Sequence, residues 1–103
     1  MLDKEKVREV ANRYVTKVLR EFAPNKIVLF GSYVNGTPHE WSDIDVAVLI
    51  NDFDGNQIES ASRLYHLTWD FDEAIEPHLL DPNDDPIGFV DHVIKTGEVI
   101  YAA

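Results

Sequence analysis

The chain has 103 residues, no cysteine, and 19 acidic against 9 basic side chains, giving a net charge of -10. The absence of thiols excludes disulfides and thiolate metal sites. The acidic balance argues against a polynucleotide partner, which needs a basic face. A single domain over residues 1–103 is expected, with an apolar content of 45% sufficient for one modest core. The first residues, Met1-Leu2-Asp3-Lys4-Glu5-Lys6, lack the apolar centre of a signal peptide. No apolar run reaches membrane-spanning length, so a cytoplasmic location is expected.

The pattern predicts a first helix over Lys4 to Phe22, with Asp3 as its N-cap and Pro24 closing it. Val7, Val10, Ala11, Tyr14, Val15, Val18, Leu19 and Phe22 recur at the spacing of one apolar helix face. Lys26 to Phe30 reads as a short buried strand, and Ile44 to Ile50 as a second. Residues Asn51 to Asn56 form a connector; they resemble a calcium loop only in part, because Ile50 breaks its alternation of acids.

Ile58, Ala61, Leu64, Tyr65 and Trp69 predict a second helix from about residue 56 to 71. Ala74 to Leu80 is a third strand, and the acidic segment 81–86 a solvated loop. Asp85 and Pro86 open a third helix that runs to Thr96 and stops at Gly97. Val99 to Tyr101 adds a short terminal strand. The fold class is α/β (α+β), a small mixed sheet with helices packed on it.

Between the first two strands stands GSYVNGTPHEWSDIDV, residues 31–46. On a strand, Asp43 and Asp45 share a face about 7 Å apart at their backbones, from two rises of ~3.3 Å. Two such carboxylates repel by about 2 kcal/mol at an effective dielectric of 20. A divalent cation between them reverses the sign, and hard oxygen ligands favour Mg²⁺ or Mn²⁺. The turn at Gly31 and Ser32 exposes backbone N–H groups and a hydroxyl suited to a phosphate. A phosphate cradle beside carboxylates that hold a metal is a nucleoside triphosphate site. The spacing of Gly31 and Gly36 matches a Walker A loop, but Thr37 and Pro38 stand where its Lys and Ser or Thr belong.

Gly31-Ser32, ten residues, then Asp43-Ile44-Asp45-Val46 resembles the signature of the DNA polymerase β-like nucleotidyltransferase superfamily. More narrowly, the chain resembles the minimal nucleotidyltransferases (MNT) of the antitoxin type, which are about this long. The resemblance implies a third carboxylate on an adjacent strand, matched best by Glu76. It implies ATP as nucleotide donor, Gly31, Ser32 and Asp43 as nucleotide-binding residues, and Asp43, Asp45 and Glu76 as catalytic and metal-holding residues. Many relatives carry Arg where Asn35 stands. The implied reaction is Mg²⁺-dependent transfer of AMP to a hydroxyl of a partner protein, a HEPN-type toxin in the family pairing. Three alternatives remain: transfer to a small molecule of the aminoglycoside kind, a partner-masking module without catalysis, and a structural domain with vestigial acids.

The four histidines, His39, His66, His78 and His92, show no metal-ligand spacing. They read as surface or packing residues, with His78 a candidate only because it shares the face of Glu76. Trp41 is a candidate for the base pocket and equally for a loop anchor.

Overall fold

A computed structural model describes residues 2–36, 38, 42–51 and 55–103. Trp41, His39, Thr37 and the centre of the 51–56 connector lie outside the described residues. The elements run α1 (Lys4–Leu19), β1 (Lys26–Phe30), α2 (Ser32–Asn35), β2 (Ile44–Leu49), α3 (Gln57–His66), β3 (Ile75–Leu80), α4 (Phe89–Thr96) and β4 (Glu98–Ala102). The mixed sheet and its helices match the expected fold class.

Helix α1 starts as its sequence predicts: the Asp3 carboxylate accepts from the Lys6 N–H at 2.8 Å. It ends earlier, at Leu19, where the Arg20 N–H returns to the Lys17 carbonyl and the Glu21 N–H to the Val18 carbonyl, three-residue closures that tighten the last turn. Phe22 leaves the helix but still packs on the core.

The sheet order is β3-β2-β1-β4. Strand β1 pairs antiparallel with β2 and β4, while β2 and β3 run parallel. One face carries Ile27, Leu29, Ile44, Val46, Val48 and Ile75 against α1 and Leu64 of α3. The other carries Val28, Ala47 and Leu49 against Val90 and Val93 of α4. Alternation along each strand produces this division. Each fully buried aliphatic side chain contributes about 1.5–3 kcal/mol. The Tyr14 hydroxyl donates to the Leu64 carbonyl at 2.6 Å and so ties α1 to α3.

Two further helices differ from expectation. In α3 only Leu64 of the predicted stripe is buried; Ile58, Tyr65 and Trp69 are exposed, and Trp69 lies beyond the helix end. The inward face instead runs through Leu64, Leu67 and Thr68. Helix α4 begins at Phe89 rather than Pro86, behind Gly88 in the left-handed conformation. Asp85 still caps it from the preceding turn, accepting from the N–H groups of Val90 at 3.0 Å and Asp91 at 3.2 Å. Of the acidic loop, Asp81 also has a local task, accepting from the Asn83 N–H at 2.9 Å.

Strand β3 is a sheet edge. The bonds from Ile44 N–H to Ala74 and from Ile50 N–H to Leu80 set which β3 groups face β2. By that alternation residues 76, 78 and 80 face inward, and 75, 77 and 79 face the open edge. Pro77 therefore has no N–H on the outer side, which blunts the edge against strand addition.

The α4–β4 corner depends on Gly97. A Cβ there would approach Val28 Cγ1 and the Val93 carbonyl oxygen at 2.6 Å, and the Leu29 carbonyl oxygen at 2.8 Å. Two of those atoms are backbone and cannot rotate away. Gly97→Ala is expected to destabilise the protein by about 1–3 kcal/mol, the usual range for overpacking. Urea denaturation of the variant checks this. No described helix is long and apolar enough to cross a membrane.

Candidate active site

The site forms where the α4 layer ends and leaves the upper part of the sheet uncovered. Asp45 is the second residue of β2 and Glu76 the second of β3. The register pairs them directly, so both side chains stand on one face. On the other flank Phe30, the last residue of β1, pairs with Asp45. Gly31 follows Phe30 at once, which brings the turn over Asp45.

Gly31 has φ 86° and ψ -158°, a combination open to glycine and strained for other residues. A Cβ on Gly31 would collide with Asp45 Oδ2. The turn thus touches the carboxylate because it has no side chain. Ser32 opens α2, and the Gly31 carbonyl closes that turn by accepting from Val34 and Asn35. The first N–H groups of such a turn have no acceptor within the helix. Asn35 is the exposed last residue of α2, before left-handed Gly36.

Asp43 immediately precedes β2 and is exposed. Burial pushes the Glu76 carboxyl above its usual range; the charges of Asp45 and Asp43 and a hydrogen bond with Asp43 push it further, against an opposing effect of His78. Both sequence-derived aspartates therefore act on Glu76. The tightest group is different in one member. Asp45, Glu76 and His78 each offer a ligand atom within 4.8 Å of the others, and Asp43 is outside that group. His78 Nε2 lies 3.2 Å from Asp45 Oδ1. His78 thus stands on the face of Glu76, as its spacing predicts, and also reaches Asp45. Its two-residue spacing from Glu76 was the available signal, but its reach to Asp45 follows from the β2–β3 register.

The polymerase beta nucleotidyltransferase domain model matches residues 13–103. The chain belongs to this family. A Methanocaldococcus jannaschii protein with the provisional name protein adenylyltransferase is 27% identical over 89 residues, which cover 81% of this nucleotidyltransferase chain. The chain spans about 60% of that relative's length. A crystal structure of a toxin-antitoxin with AMP-PNP superposes with a TM-score of 0.63 at 30% identity, over 88% of this chain and 73% of that one. A Sulfolobus solfataricus protein, provisionally named a nucleotidyltransferase, has a TM-score of 0.71 at 18% identity, over 94% of this chain and 81% of its own, and shares the fold.

The nucleotidyltransferase site fits a hard divalent cation. Its donors are carboxylates with one imidazole, gathered within 4.8 Å of one another. Beyond Glu76 an open cleft of about 350 Å³ runs between α3 and β3, lined by Asp43, Tyr65, Thr68, Glu73 and Glu76 among others. The Gly31 turn lies on the opposite side of Asp45.

The raised Glu76 pKa has a thermodynamic consequence. Above the unfolded value the native state holds the Glu76 proton more tightly than the unfolded chain does. The contribution of Glu76 to stability therefore falls as pH rises through its raised pKa. Glu76→Gln is expected to remove that loss. In EDTA, the variant should gain stability over wild type at pH 8 relative to pH 4, as read by chemical denaturation.

Proposed function

We propose that this chain is a nucleotidyltransferase that moves AMP from ATP to a hydroxyl of a partner protein, with Mg²⁺ or Mn²⁺ held at Asp43, Asp45 and Glu76. The observation that carries the reading is the meeting of Asp45 and Glu76 on paired strands beneath the Gly31 turn. Gly31 and Ser32 hold the β- and γ-phosphates. A bound divalent cation neutralises phosphate charge and acidifies the acceptor hydroxyl. Asp45, wedged against the turn, would hold the cation close to the phosphate cradle, with Asp43 on the solvent side. Glu76, paired with Asp45 across the strands, completes the metal site or takes the hydroxyl proton. The acceptor oxygen bonds to the α-phosphorus in line as the bond to pyrophosphate breaks.

The side of the acceptor follows from the same layout. With phosphates on the Gly31 flank, the acceptor approaches through the α3–β3 cleft. Three acids line that cleft, so the acceptor segment carries cationic residues near its hydroxyl. Ile58 and Tyr65 on α3 and Trp69 just beyond it expose apolar surface, and Tyr65 also reaches the cleft. This surface supports a protein acceptor. So do the name of the M. jannaschii relative and the resemblance to a toxin-antitoxin structure. We assign the partner to the HEPN class of toxins. A polycationic small molecule is the second reading, favoured by the acids in the cleft.

Co-expression with a toxin of that class, followed by intact-mass measurement, tests the acceptor. Addition of one or more AMP masses to the partner supports the proposal. An unmodified partner together with a nucleotidylated aminoglycoside would replace it with the second reading.

A further inference from the structure

We infer that His78 is itself a ligand of the cation, joining Asp45 and Glu76 with Asp43 beside them, so that the site favours a transition-series divalent ion over magnesium. The inference rests on the metal reading above and adds to it a nitrogen donor and a choice of ion.

Three features carry it. The three ligand atoms lie within 4.8 Å of one another, so closure by a few tenths of an ångström brings them to the roughly 4.2 Å that spans an octahedral ion with ~2.1 Å bonds. His78 Nε2 and Asp45 Oδ1 stand 3.2 Å apart. Ligands at ~2.1 Å from an octahedral ion are separated by about 3 Å along each edge, so this pair already has the spacing of neighbouring ligands. The imidazole is also held in place. Its ring meets the edge of Phe30 at 5.1 Å between centroids, and Phe30 in turn packs on Phe89 of α4 at 6.1 Å. Strand register brings the nitrogen to Asp45, and packing fixes its direction.

An imidazole nitrogen changes ion preference. Oxygen ligands suit magnesium and manganese alike, whereas imidazole adds affinity for transition-series ions. A role limited to orienting Asp45 by hydrogen bonding predicts no such preference and no metal–nitrogen bond.

Mn²⁺ binding to the nucleotide-free chain, followed by electron paramagnetic resonance, distinguishes these roles. The pulsed spectrum of the wild type should show nitrogen modulation from a directly bonded ¹⁴N. His78→Gln, whose side-chain amide can still donate to Asp45, should lose the modulation and bind Mn²⁺ about tenfold more weakly. Its Mg²⁺ affinity, read by competition, should change less. Mn²⁺ bound at Asp45 without nitrogen modulation, or modulation that persists in His78→Gln, would overturn the inference and leave the carboxylate metal site standing. Absence of Mn²⁺ binding, or binding unchanged in Asp45→Asn, would remove the metal reading and the inference together.

Discussion

Asp45→Asn is expected to lower nucleotidyl transfer by more than about a hundredfold, because loss of even an outer partner of a metal ligand costs about 10–100-fold. The substitution keeps side-chain shape. Its amide oxygen can still accept from His78, and its amide group removes a like charge facing Glu76. The metal-free protein should therefore stay folded, with a urea midpoint in EDTA equal to or above that of wild type. Asp43→Asn should also abolish transfer. A large fall in metal-free stability of either variant would make these acids structural. Transfer at the wild-type rate would remove them from the chemistry.

Gly31→Ala should damage fold and site together. The backbone there has φ 86° and ψ -158°, which alone costs a residue with a Cβ about 1–3 kcal/mol. The added carbon also meets Asp45 Oδ2, so either the turn lifts or Asp45 rotates out of line with Glu76. Both movements separate the phosphate turn from the carboxylates, and transfer should be lost. A double substitution divides the effect. In Gly31→Ala with Asp45→Ala the collision is absent, and only the conformational cost remains. The double variant should lose less stability on denaturation than Gly31→Ala and Asp45→Ala summed. Simple additivity would mean that Gly31 and Asp45 do not share a contact.

The parts of the site legible in the sequence were those set by local chemistry. Gly31 and Ser32 after an apolar strand marked a turn, and Asp43 and Asp45 marked carboxylates on the next strand. Glu76 was reached through the family resemblance, and the proline after it suits an edge position or a strand end; β3 is an edge. The rest depended on pairing, which a single sequence does not encode locally. The alignment of Asp45 with Glu76, and hence the reach of His78 to Asp45, comes from the parallel register of β2 and β3. A shift of one residue would have sent these side chains to the opposite face. The stripe of Ile58, Tyr65 and Trp69 looked like a core face because apolar spacing does not say which surface a helix turns inward. Leu64 and Thr68 decide that in the fold. At α4 the capping residue Asp85 was legible, but not that the chain would take another turn through Gly88 before the helix begins.

The most direct test of the central claim compares ATP labelled at the α-phosphate with ATP labelled at the γ-phosphate, incubated with the chain, a divalent cation and the partner. Nucleotidyl transfer from the Gly31–Asp45–Glu76 site predicts α-label on the acceptor, γ-label only in pyrophosphate, and loss of both signals in Asp45→Asn. γ-Label on the acceptor, or α-label transfer undiminished in Asp45→Asn, would contradict it.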